Sequence, residues 1–196
     1  MFRTALKILL SVTVVIGLAG GSVLAADVEV QGVKLPSQKE VDGKIVTLNG
    51  AALRKAMGFV KVNVLGLYLE KPTQDPEEVV TSQQVKQLYS HYLTGMATAE
   101  KLRNGFIEQI QRSNPPELVE AHRAAIEQYA SWLDKDMQPG QLSIGTYVPG
   151  QGLTLEYQGQ VKGTISDPVF AEMYFRANVG EKADKSIRDG LLGVKK

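Results

Sequence analysis

Among the side chains able to do chemistry, Arg54 stands in the most suggestive setting. It follows Gly50-Ala51-Ala52-Leu53 and precedes a strand-like segment with two unlike faces. A guanidinium presents a fixed fork of donors that matches a carboxylate or a developing oxyanion. By spacing alone, Arg54 also reads as a surface arginine beside a turn. The other candidates are sparse. The sequence has no cysteine, which excludes disulfides and thiolate chemistry, and two histidines, His91 and His122, with no clustered ligands around them. A dedicated metal site is therefore not expected, and neither is a cofactor. No Ser or Cys can be placed beside His91, which reads as a strand residue. His122 sits at the edge of an amphipathic helix. Gly150-Gln151-Gly152 lacks the following helix that a phosphate cradle needs. No residue stands out as a general base.

The elements that must position Arg54 follow from hydrophobic period and breakers. Val28 to Leu35 reads as a short strand with a turn at Gly32, closed by Pro36, and Lys44 to Leu48 as an extended piece after Asp42-Gly43. The run FVKVNVLGLYLE from Phe59 to Glu70 is rich in β-branched residues. Its alternation predicts Val60, Val62 and Val64 towards the core, with Phe59, Lys61, Asn63, Leu65 and Leu67 on a mixed face. Another strand is expected from Val85 to Leu93. Thr98 is an N-cap candidate for a helix whose Leu102, Phe106 and Ile110 recur every four residues. Asn114-Pro115-Pro116 breaks the chain, and a second amphipathic helix carries Leu118, Ala125, Ile126, Tyr129 and Leu133. Three short strands follow (Leu142 to Val148, Leu153 to Tyr157, Val161 to Ile165). Asp167-Pro168 opens a helix that ends at Gly180, and a last short helix holds Ile187, Leu191 and Leu192. Glu77-Glu78 reads as solvated surface. Strands, helices, strands and helices in that order predict an α+β domain, an open-faced antiparallel β-sheet with helices packed on one face.

Length and charge bound the rest. Arg3 and Lys7, the mostly apolar run Ile8 to Leu18 and the small residues leading to Val23-Leu24-Ala25 follow the pattern of a secretory signal peptide. Residues 1–25 are accordingly expected to be removed, leaving one domain over 26–196 in a periplasmic or otherwise external compartment. No other stretch is apolar enough to span a bilayer. A net charge of +1 with both signs spread along the chain gives no basic face for nucleic acid.

The stretches VEVQGVKLP, LNGAALR and FVKVNVLGLYLE together resemble the opening of the chalcone isomerase-like family, in which a V-E-V strand, a turn ending in arginine and an F-V-K strand follow in that order. Leu93-Thr94-Gly95 with Glu100-Lys101-Leu102 is similar to that family's entry into a helix. The bacterial exported branch is matched further by Pro149-Gly150-Gln151-Gly152, Asp167 to Phe170, Val179-Gly180 and Leu191-Leu192-Gly193. The resemblance implies that the family's phenolate-holding arginine falls on Arg54 and its strand threonine on Asn63. The family's tyrosine falls on Thr98, and its asparagine on Gly105, beside Asn104. Two positioned donors of the isomerase are thus replaced, and such donors carry much of catalysis. Non-catalytic members of the fold hold fatty acids through the same arginine.

The leading expectation is a non-catalytic binder of a small hydrophobic ligand bearing an acid group, such as a fatty acid. Arg54, Asn63, Thr98 and Asn104 are its candidate contacts. The rivals are an intramolecular lyase or isomerase acting on a phenolic or enone substrate, and a scaffold that binds protein.

Overall fold

The computed structural model describes residues 26–194, so the leader assigned from the sequence lies outside the described residues. Strands β1 (Val28–Val30) and β2 (Val33–Leu35) form a small hairpin. Its turn residues Gln31 and Gly32 both have positive φ, 52° and 80°. The main sheet is an antiparallel meander of β3 (Gln38–Val41), β4 (Lys44–Ala56), β5 (Val60–Leu69), β6 (Lys86–Tyr92), β7 (Leu142–Val148), β8 (Gly152–Tyr157) and β9 (Gln160–Ile165), paired in chain order. Helix α1 (Pro76–Thr81) links β5 to β6. Helices α2 (Ala99–Ser113), α3 (Pro116–Ala121) and α4 (Arg123–Ser131) lie between β6 and β7, and α5 (Pro168–Val179) and α6 (Lys185–Leu191) follow β9. The open α+β architecture expected from the sequence is the one observed.

Strand β4 corrects one expectation. It does not stop at Leu48 before a turn at Gly50-Ala51 but continues to Ala56, carrying Arg54 within the sheet. Register shifts between Leu48 and Gly50, where the glycine is needed for a separate reason. A Cβ there would lie 2.2 Å from the Gly190 carbonyl oxygen, so Gly50 lets the backbone of α6 rest directly on the strand. Asn49 fastens the contact: its side-chain amide donates to Leu191 O at 2.9 Å, and its Oδ1 accepts from Thr73 N at 2.7 Å. A second shift follows Arg54. Arg54 faces Asn63, but Lys55 faces Lys61, leaving Val62 as an extra residue on β5. Such a bulge bends the strand and re-aims its side chains.

The faces of β5 are also assigned differently from the sequence reading. Leu65, Leu67 and Leu69 enter the main core beneath the helices, whereas Val64 joins Val33 and Leu35 on the opposite face, under the β1–β2 hairpin. Val62 packs against the main core because the bulge breaks strict alternation. Phe59 lies in the turn before β5 and is exposed. Tyr68, on the Val64 face, packs with Val46 and Val85. Both faces of β5 are thus apolar. Period two separates the faces but does not say which of them the helices cover.

Thr98 caps α2 as expected, accepting from Lys101 N at 3.3 Å. Phe106 of α2 stacks on Tyr129 of α4 at 4.8 Å between ring centroids. The single helix expected between Leu118 and Leu133 is split at His122, whose ring lies 2.5 Å from the Asp167 carboxylate. Asp167 also caps α5, accepting from Val169 N and Phe170 N, so one carboxylate joins the helix break to the start of α5. Helix α1 was not expected: Asp75 caps it, and Glu77 and Glu78 form its acidic first turn. Lys86, 1% exposed, closes its other end by donating to Val79 O and Val80 O at 2.9 Å each.

Candidate functional site

A cavity of about 510 Å³ lies between the sheet and helices α2, α4 and α5. That volume is within the usual range for a small-molecule site. Leu65, Leu88, Leu102, Phe106 and Leu133 give it apolar walls, and Arg54, Asn63, Tyr92, Tyr174 and Asn178 are among its polar groups. Sheet register explains three of these. Arg54 is directly opposite Asn63, and Asn63 is directly opposite Tyr92, so the three form one row across β4, β5 and β6. Directly paired residues share a face, and this row faces the cavity.

Arg54 is enclosed by protein and exposes surface only in part. Burial draws its pKa below the ordinary arginine value; Tyr92 and Asp184 oppose that shift, and Arg112 adds to it. The guanidinium nevertheless remains charged, as arginine does in proteins. Among the described residues it takes part in no ion pair. The carboxylate of Asp184 is spent on capping α6, accepting from Ser186 N at 2.9 Å and Ile187 N at 3.1 Å. A buried charge without a partner is costly, and an anionic ligand would remove that cost.

The neighbours of Arg54 in this row are polar but uncharged. Asn63 is 4% exposed, and its Oδ1 has no hydrogen-bond partner among the described residues. An unmet buried acceptor costs about 1–3 kcal/mol, which a water or a neutral O–H or N–H group in the cavity would relieve and a carboxylate would not. Burial pushes the Tyr92 and Tyr174 hydroxyls up to about 12 and holds Tyr129 well above its ordinary value. All three therefore stay neutral O–H groups at physiological pH. Tyr174 owes its place to Gly145 on β7, where a Cβ would come within 2.4 Å of its hydroxyl oxygen.

Of the four contacts expected from the sequence, the structure brings Arg54 and Asn63 together and leaves the other two elsewhere. Thr98 does not line the cavity, because its hydroxyl is occupied at the N-terminus of α2. Asn104 is exposed on the outer side of α2. Gly105 does line the cavity, with open space where a side chain would begin. The sequence reading missed Tyr92, Tyr174 and Asn178. The expectation that the site had lost its hydroxyl donors is amended accordingly, since Tyr92 and Tyr174 supply two from β6 and α5. For Tyr92 a signal existed: it shares period-two parity with Leu88 and Ser90, which also line the cavity. Among the described residues no aspartate, glutamate or histidine lines it, and no cluster of three or more potential metal ligands occurs.

The class is that of open-faced α+β domains, in which an antiparallel sheet and the helices covering it leave a cavity between them, here with an arginine in its lining. The chain belongs to the chalcone isomerase-like family, whose sequence profile matches residues 27–193. Among solved structures it is similar to a fatty-acid binding protein of Arabidopsis thaliana, with a TM-score of 0.68 and 14% identity, covering 85% of this chain and 96% of that one. At that identity the likeness concerns the fold. No curated protein matches the chain. Among the described residues no helix is long and apolar enough to cross a membrane.

Proposed function

We propose that this protein is a non-catalytic carrier of a small hydrophobic ligand with an acid group, such as a fatty acid, held by Arg54. The observation that carries this reading is Arg54, a largely enclosed cation with no ion pair among the described residues, in one row with the Tyr92 hydroxyl on the wall of a largely apolar cavity. A carboxylate would meet the guanidinium and its chain would cover Leu65, Leu88 and Phe106. The fold shared with a fatty-acid binding protein supports the reading, and the amino-terminal pattern supports a periplasmic or external place of work. Native mass spectrometry of protein recovered from its own periplasmic fraction tests it. A co-purified mass matching a fatty acid or similar carboxylate is expected. Protein that arrives empty and also ignores dodecanoate in calorimetry would refute the reading.

A second reading, an intramolecular lyase of the chalcone isomerase type, draws on Tyr92 and Tyr174 as neutral hydroxyls near Arg54. Against it, no carboxylate or imidazole among the described residues lines the cavity to move a proton. Equal binding of ground and transition states does not speed the chemical step. Loss of chalcone absorbance should therefore proceed at the buffer rate. A faster rate that disappears in Arg54→Ala would favour the lyase.

A further inference from the structure

We propose that the tip of the β4–β5 hairpin is a docking site for an anionic lipid bilayer, through which the cavity exchanges its ligand. The inference rests on the carrier reading for what is exchanged, but the docking itself stands on separate observations. The tip is the three-residue connection Met57-Gly58-Phe59, with φ of 50° and 76° at its first two residues. Met57 is 69% and Phe59 75% exposed, and Met96, just before α2, is 50% exposed. Met57 and Met96 also line the cavity. The exposed apolar surface is therefore continuous with the cavity mouth.

Charge identifies the partner. Lys55 and Lys61 are directly opposed across the hairpin, one turn of the ladder behind the tip. Like charges in direct register destabilise a strand pair, and neither lysine has an ion-pair partner among the described residues. Lys101 adds a third cation at the mouth, its ammonium donating to Met96 O at 3.3 Å. No acidic residue occurs between Arg54 and Leu69. Apolar side chains at a tip backed by lysines suit the boundary of an anionic leaflet, with apolar groups entering the acyl region and cations meeting the headgroups. A stable protein partner would need about 800 Å² on each side, much more than two side chains on a turn present. A bilayer has no such requirement, and it is where a sparingly soluble acid would reside.

Flotation with vesicles tests the proposal without any ligand. The protein should float with vesicles containing phosphatidylglycerol and not with pure phosphatidylcholine, and added salt should release it. Lys55→Ala/Lys61→Ala should lower the partition coefficient by roughly 30-fold, and Phe59→Ser by about tenfold. Phe59 does not line the cavity, so Phe59→Ser should bind dodecanoate in vesicle-free calorimetry as the parent does, which also shows that it is folded. Absence of binding to anionic vesicles, equal binding to neutral ones, or undiminished binding by both variants would overturn the docking site. Vesicle binding without any dodecanoate binding would leave docking standing and remove the carrier reading instead.

Discussion

Arg54 combines two conditions that seldom coexist, enclosure by protein and no counter-ion among the described residues. A charge-assisted hydrogen bond is worth about 1.5–3 kcal/mol, so Arg54→Ala should weaken dodecanoate binding by roughly tenfold or more in calorimetry. The folded chain should lose little stability, since the substitution removes a largely enclosed charge with no ion pair among the described residues; a clearly lowered urea midpoint would show that Arg54 has a structural partner instead. Gly145 provides a complementary test from the other side of the cavity. Gly145→Ala brings a methyl against the Tyr174 hydroxyl, and overpacking of this kind costs about 1–3 kcal/mol. Its thermal midpoint should fall, and affinity should fall with it if Tyr174 is displaced. Unchanged affinity would remove Tyr174 from the site.

At the scale of elements, α2 offers a change in the opposite direction. Gly105 lies inside the helix with nothing near its missing Cβ. Gly105→Ala should therefore raise stability by about 1 kcal/mol, seen as a higher urea midpoint. The elements also show how far sequence could lead. Local signals were reliable: the Thr98 and Asp167 caps, the four-residue spacing of Leu102, Phe106 and Ile110, and the turn at Gly32 are all where their chemistry put them. What was missed depended on distant partners. Gly50 looks like a turn residue unless one knows that α6 lies against it. The break at His122 is accompanied by a contact with Asp167, 45 residues away. Arg54 and Asn63 were legible as candidates, but Tyr92 joined them only through the pairing register, which no local pattern records.

At the scale of the whole molecule, buried cations make stability depend on alkaline pH in an unusual sense. Burial holds Lys86 and Lys39 down to about 8, against an ordinary 10.5. Between those values the unfolded chain binds more protons than the folded one, so stability should rise with pH over that window. Above about pH 10 the order reverses. Tyr92 and Tyr174 titrate near 12 when folded, so the unfolded chain loses phenolic protons first and stability falls. Urea midpoints taken from about pH 7 to pH 11 should pass through a maximum, and Lys86→Met should flatten the rising limb. A steady decline from pH 7 would contradict this account. For the leader read from residues 1–25, N-terminal sequencing of exported protein should begin within a few residues of Ala26. An intact Met1 in the membrane fraction would point to an anchor.

The contact between α6 and β4 also bears on the order in which the chain can mature. Asn49 and Leu191 are 142 positions apart, and the strand they brace is the one that carries Arg54. Loop closure over so long a separation is slow, because its entropy is lost before the contact forms. During synthesis, Asn49 emerges 142 positions ahead of the Leu191 carbonyl that it binds. Until then Asn49 lacks the Leu191 carbonyl, and the Gly50 backbone has nothing packed on it. A chain built in this way completes the strand that carries Arg54 only after α6 has emerged and docked on it. Ending the chain at Asp184 should therefore leave a product that protease digests within β4 while the distant β7–β8 hairpin resists.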